Sequence, residues 1–333
     1  MAKKTSKNIA ILGAGITGLT TAYTLSQSGH TITLFDPKGF PANNASAIAG
    51  GMLAPYSEIE HMPMDWITAG LNGIKFWQNF AQNHDIDFHN NGTLLLACPE
   101  DAHMLERFKS HLPSNLQSSN AQSPAELAQF KDTLTLPDEA HLDPTLTMAA
   151  LITALKNCTL KTESANPEDL INTFDHIIDA RGMNTPDTNL RGVKGEILLV
   201  RNTEFTLDRP IRLMHPRYPL YIVPRRDNIF MIGATIIESD CQENVSLRSA
   251  MELMSALYTI HRSFGEAEII SLTAGIRPAY ENNLPQIKTE GNITTANGLF
   301  RHGYLLAPVI AEAITTHING QTHDFMKLCT QAA

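Results

Sequence analysis

Cysteine is scarce in this 333-residue chain, positive charge is outnumbered, and no apolar run is long. The four cysteines, Cys98, Cys158, Cys241 and Cys329, are scattered without a CxxC pair. That argues against a disulfide framework or a zinc site and for reduced thiols in a cytoplasmic protein. Lys and Arg number 25 against 34 Asp and Glu, a net charge of −9, so a nucleic-acid partner would lack its basic footprint. No stretch approaches the roughly 18 apolar residues of a membrane span. The G-x-S-x-G and H-E-x-x-H signatures are missing, which removes support for hydrolase chemistry. The histidines show no metal-ligand spacing; His84 and His89 read as solvated, and no metal is expected. Lys3, Lys4 and Lys7 ahead of an apolar stretch imitate a secretory signal. That stretch, however, holds three glycines and no small-x-small cleavage site.

What the N-terminus holds instead is Ile9-Ala-Ile-Leu-Gly13-Ala-Gly15-Ile16-Thr17-Gly18, an apolar strand running through G-x-G-x-x-G into a helix of about Thr17 to Ser28. Gly13 permits the tight turn, Gly15 lets backbone approach a pyrophosphate, and Gly18 lets helix and strand pack closely. The helix start offers unpaired N–H groups and partial positive charge to phosphate. A second strand, Thr31 to Phe35, ends at Asp36-Pro37, where the acid can accept hydrogen bonds from an adenosine ribose. Strand, glycines, helix and acid together imply an ADP-containing cofactor, NAD or FAD.

Downstream, helical spacing runs over 66–83, strand-like runs over 93–97 and 159–163, and a helix from Asp143-Pro144 to about Asn157. Residues 113–124 are rich in Ser, Asn, Gln and Pro and read as surface loop. His176 to Gly182 reads as a strand entering a glycine turn, and 195–200 and 221–236 as β-rich. An amphipathic helix is expected over about 246–264, a strand near 293–296, and a last helix over about 305–318. With 43% hydrophobic residues the chain can bury two cores. The pattern predicts an α/β protein in which a discontinuous, Rossmann-like cofactor domain holds an inserted mixed or antiparallel-sheet substrate domain, with the ligand where they meet.

Four further stretches favour FAD over NAD. Ala45-Ser46-Ala-Ile-Ala-Gly50-Gly51-Met52-Leu-Ala-Pro55 is a small-residue run suited to close approach by a flat ring. With Tyr221-Ile-Val-Pro-Arg225, Gly275-Ile-Arg277-Pro278 and Gly298-Leu-Phe300-Arg301-His302-Gly303-Tyr304-Leu305-Leu-Ala-Pro308, it resembles the glycine oxidase branch of the D-amino acid oxidase family, which includes a bacterial thiamine-pathway enzyme. Leu190 to Gly195, His215 to Tyr221 and Ile232 to Thr235 add to the likeness, which thins over 100–135 and 159–176. The resemblance implies a non-covalent FAD domain over 1–85, 142–193 and 279–333 and a substrate domain over 86–141 and 194–278. It further implies hydride transfer from the Cα of a small amino acid to flavin N5, reoxidation by dioxygen to hydrogen peroxide, and hydrolysis of the imine to a 2-oxo acid and ammonia.

By residue, the resemblance makes Arg277 the carboxylate anchor, Tyr221 its hydroxyl partner, and Arg301 a loop arginine beside flavin and substrate. Gly13, Gly15, Ile16, Thr17, Gly18, Asp36, Pro37, Ala45, Ser46, Gly50, Gly51, Met52 and the segment Phe300 to Leu305 are expected to hold the cofactor. In that segment the start of the last helix can stabilise negative charge on the reduced flavin. Arg181 reads as a structural residue lining the cofactor cleft. His302 is expected to touch flavin through its backbone and not to act as a base. Neither a carboxylate nor a histidine is assigned as one. Alternatives remain: an oxidase or dehydrogenase of D-amino acids or of N-methyl amino acids such as sarcosine, a flavin-binding module without turnover, or a plain NAD-dependent dehydrogenase. A homo-oligomer is left open.

Overall fold

A computed structural model describes residues 6–118, 125–216, 220–241 and 244–331. The central sheet has six strands: β1 (Asn8–Leu12), β2 (Thr31–Phe35), β7 (Cys158–Lys161), β8 (His176–Asp179), β15 (Gln286–Glu290) and β16 (Ile293–Asn297). Their spatial order is β15-β16-β8-β1-β2-β7, parallel throughout except for the β15–β16 hairpin. The strand β1 is apolar along nearly its whole length because both its faces are buried. Ile9 and Ile11 face the large core, while Ala10 and Leu12 pack with Phe35 and Ile177 on the other side. That large core is closed by α1 (Ile16–Gln27), α2 (Met64–Ala81), α4 (Pro144–Ala154), α7 (Gly303–Ile318) and α8 (Asp324–Gln331).

The second sheet is mixed. It contains β4 (Thr93–Ala97), β5 (Asp132–Leu136), β9 (Arg191–Arg201), β10 (Ile211–Met214), β11 (Leu220–Pro224), β12 (Ile229–Gly233), β13 (Ile237–Glu238) and β14 (Glu268–Ala279). The order is β13-β9-β12-β11-β10-β4-β5, with β14 along the far side of β9. Only β4 and β10 run parallel. Period-2 alternation sorts the side chains: Ile222, Phe230 and Ile232 face α6 (Leu247–Ile260), while Tyr221, Val223 and Met231 face the opposite way. The helix α3 (Ala102–His111) packs over β4 and β5. Shorter elements include a ladder of β3 (Met52–Leu53) with β6 (Ala140–His141) and the helix α5 (Pro167–Leu170).

The expected helix over 246–264 ends earlier, at Ile260, because His261 turns extended and a 3-10 turn follows from Arg262 to Glu266. The strands β5, β10 and β14 and the helix α3 have no counterpart in the sequence reading. β14 carries Gly275 and Pro278, which disguise a strand. It tolerates the proline because the Pro278 carbonyl, and with it the side that lacks an N–H, faces away from β9, towards Phe300 N–H at 2.9 Å. Of the expected loop 113–124, residues 119–124 lie outside the described residues, as do 217–219 of the His215 to Tyr221 stretch.

Candidate active site

A cleft of about 1180 Å³ runs between the two sheets. At one end β1 turns into α1. Gly13 adopts φ +99° there, and a Cβ on it would lie 2.5 Å from the Ala180 carbonyl oxygen, so conformation and space both demand glycine. Its N–H donates to the Phe35 carbonyl at 2.8 Å. Gly15 caps α1 in extended backbone, Ile16 N–H donates to Ser46 Oγ at 3.0 Å, and Thr17 follows on the cleft wall. Asp36, buried beside Pro37, accepts from Ala14 N–H at 2.8 Å with one oxygen and from Lys38 N–H at 2.8 Å with the other. The backbone therefore holds the carboxylate fixed at the end of β2. Gly18 alone among the expected residues lies off the cleft wall: a Cβ there would sit 1.8 Å from the Gly13 oxygen, so its role is helix–strand contact. Arg181 lines the cleft and pairs with Asp179 at 2.7 Å.

Ala45, Ser46, Gly50, Gly51 and Met52 line the middle. Gly51 has φ +66°, and a Cβ on it would meet the Leu142 oxygen at 2.1 Å. From the opposite side come Phe300, Arg301, His302, Gly303, Tyr304 and Leu305, the loop that opens α7. Two helix N-termini, those of α1 and α7, thus face one cleft.

At the remaining end three guanidinium groups gather. Arg277 lies across Gly195, where any Cβ would be 2.1 Å from one of its nitrogens, and it donates to the Thr235 carbonyl at 3.1 Å. No carboxylate pairs with it among the described residues. Burial pushes its pKa down to about 10, with the positive charge of Arg301 adding to the effect. Burial also raises the Tyr221 phenol to about 12. Arg212 stacks on Tyr221 and Phe108 and donates to the Ser57 carbonyl at 2.5 Å.

One carboxylate stands among them. Glu58, 6% exposed, forms an ion pair with Arg301. Burial alone would raise its pKa, but Arg301, His302 and Arg212 together outweigh that and hold the carboxyl below its ordinary range. Behind it Glu139, fully buried, accepts from Ser57 N–H at 2.6 Å and Ser57 Oγ–H at 2.8 Å; burial raises its pKa to about 7. His302 also lines the cleft, and burial lowers its pKa to about 4. The sequence assigns no carboxylate to the site as a base; the structure places Glu58 on the cleft wall, where an ionised, paired carboxylate is a weak base. Neither Glu58 nor Arg212 announces itself in sequence. Glu58 follows the small-residue run by three positions, and Arg212 sits in an undistinguished strand.

A long cleft with a glycine turn, an acid fixed at the end of β2 and two helix N-termini fits an elongated dinucleotide whose phosphates and ring both accumulate negative charge. The sequence signature described as FAD dependent oxidoreductase (DAO) matches residues 8–317. The chain belongs to this family. Among its relatives, a Rhizobium etli protein named for thiamine biosynthesis, the oxidoreductase ThiO, is 39% identical over 316 residues, covering 93% of this chain and 96% of its own. The glycine oxidase of Bacillus subtilis is 24% identical over 341 residues, covering 92% and 91%. The crystal structure of glycine oxidase from Geobacillus kaustophilus superposes with a TM-score of 0.81 over 96% of both chains at 21% identity, a likeness of fold. As a DAO-family oxidoreductase the protein uses FAD, and NAD is excluded as its resident cofactor. No helix among the described residues is long and apolar enough to cross a membrane.

Proposed function

We propose that this FAD-dependent oxidoreductase oxidises glycine or a comparably small amino acid with dioxygen and serves thiamine biosynthesis in the cytoplasm. The observation that carries this reading is Arg277, a guanidinium at the end of the cleft that no carboxylate among the described residues pairs with. Such a group is matched to a carboxylate brought by substrate. The names of the ThiO and glycine oxidase relatives support the substrate and the pathway.

In this reading Gly13, Gly15, Ile16, Thr17, Asp36 and Pro37 would hold the adenosine diphosphate half of FAD, with Gly18 acting through packing. Ala45, Ser46, Gly50, Gly51, Met52 and Phe300 to Leu305 would border the ring, and the two sheets form the cores of the FAD-binding and substrate domains. FAD supplies the hydride acceptor that no side chain can provide. Arg277 and the Tyr221 hydroxyl grip the substrate carboxylate and thereby fix which bond at Cα faces the ring. Neither the buried, weakly basic His302 nor the ion-paired Glu58 is a strong base, so in this reading substrate arrives with a neutral amine.

The test is aerobic peroxide release by FAD-loaded protein across glycine, sarcosine, D-alanine and D-proline. Glycine should give the highest kcat/KM. The absence of flavin bleaching by any of the four under anaerobic conditions would overturn the reading.

A further inference from the structure

Of the three guanidinium groups at the substrate end, one is matched by a carboxylate within the cleft wall. Glu58 pairs with Arg301, whereas Arg277 bonds only to a backbone oxygen among the described residues. The turn that carries Glu58 is clamped: Glu58 N–H donates to the Pro55 carbonyl at 3.1 Å, and Ser57 is held by Glu139 on one side and by Arg212 on the other. The backbone that carries Glu58 is therefore held beside Arg301. Arg301, for its part, keeps spare donor capacity, since its Nε is buried without a partner.

We propose that Glu58 sets the charge selectivity of the pocket. By balancing the charge of Arg301, while Arg212 is engaged with the Ser57 carbonyl and the Phe108 and Tyr221 rings, it leaves Arg277 as the cation offered to substrate, so amino acids with one anionic group are accepted. A second anionic group would meet the Glu58 carboxylate and find the charge of Arg301 already balanced by it. The inference rests on reading Arg277 as the carboxylate anchor. It adds that specificity against diacids comes from a built-in competitor and not from pocket volume.

The experiment compares glycine with iminodiacetate, which has the same reacting carbon plus a second carboxylate, in FAD-loaded wild type, Glu58→Gln, Arg301→Gln and the double variant. Glu58→Gln frees Arg301 and should raise the iminodiacetate-to-glycine ratio of kcat/KM by at least about tenfold, the scale of one charge-assisted hydrogen bond. The gain should vanish in the double variant. Arg301→Gln alone leaves Glu58 unpaired and should push the ratio below wild type. Spectral titration of bound flavin with acetate and malonate reads the same selectivity without turnover, with malonate tightening selectively in Glu58→Gln. A ratio unmoved in both single variants that retain flavin would overturn the proposal. Wild type that binds neither acetate nor malonate and leaves glycine unoxidised would instead overturn the reading of Arg277.

Discussion

At the residue scale, Arg277 and the three motif glycines make separable demands. Removing the guanidinium in Arg277→Ala deletes a charge-assisted, bidentate contact worth on the order of 3 kcal/mol, so kcat/KM for glycine should fall roughly a hundredfold or more. Flavin content should stay near wild type, since among the described residues Arg277 bonds only to Thr235. Steady-state kinetics beside an absorption spectrum checks both halves, and near-wild-type kinetics would remove Arg277 from its role.

Gly15 and Gly18 should part company. A Cβ at Gly15 meets Ser46 Oγ at 3.4 Å, an ordinary contact, whereas one at Gly18 lands 1.8 Å from the Gly13 oxygen. Gly15→Val should therefore fold yet purify colourless, because its bulk enters space reserved for the pyrophosphate. Gly18→Ala should lose about 3 kcal/mol of stability whether FAD is present or not. Denaturant midpoints with and without added FAD distinguish the two; equal stability losses would refute the division.

At the scale of the element, α7 shows how the cleft-facing helix start is held. Pro308 lies inside the helix and has no N–H, so the Tyr304 carbonyl loses its usual partner one turn on. Trp77 Nε1 of α2 supplies the missing donor at 2.7 Å, and the Tyr304 hydroxyl donates to the Ser46 carbonyl at 3.0 Å. Gly73 permits this contact, since a Cβ there would lie 2.0 Å from the Leu305 oxygen. Trp77→Phe keeps most of the apolar volume but strands a buried acceptor, which costs about 1–3 kcal/mol. The expected result is a lower melting temperature together with weaker FAD retention. Unchanged values for both would mean that water or a shifted backbone satisfies Tyr304 just as well.

For the whole molecule, buried titrating groups shape the dependence of stability on pH. Burial lowers His141 from 6.5 to about 3, and His176 and His302 from 6.5 to about 4. The unfolded chain takes up protons as pH falls through 6.5 while the folded chain refuses them. Stability from these groups is therefore fully present above that value and lost on acidification towards pH 4. Glu139 has the opposite sign: its pKa is raised from 4.5 to about 7, so its contribution is full below 4.5 and lost as pH rises through 7. Urea midpoints of FAD-loaded protein should climb from pH 4 to 6.5, and Glu139→Gln, by removing the opposing contribution, should steepen that climb above pH 4.5. A flat wild-type profile from 4 to 6.5 would contradict the burial of the three neutral histidines.

The sequence by itself determined the parts whose physics is local. Gly13, Gly15 and Gly18 lie within six positions of one another, Asp36 ends the next strand, and the apolar run of β1 requires cover on both faces. The same holds for the small-residue run to Met52 and the loop into α7, whose backbone requirements act over a few residues. Tertiary structure alone decided the rest. Glu58 and Arg301 are 243 positions apart, and no periodicity links them. Arg212 reaches its place because β10 pairs with β4 and β11, and Arg277 because β14 runs along β9 across Gly195. An ion pair or a ladder between distant segments depends on where the returning chain lays them side by side. Propensity and spacing reach only a few residues along the chain, so the glycine turn and the acid after β2 are written in local pattern and the charge arrangement at the arginine-rich end of the cleft is made by the fold.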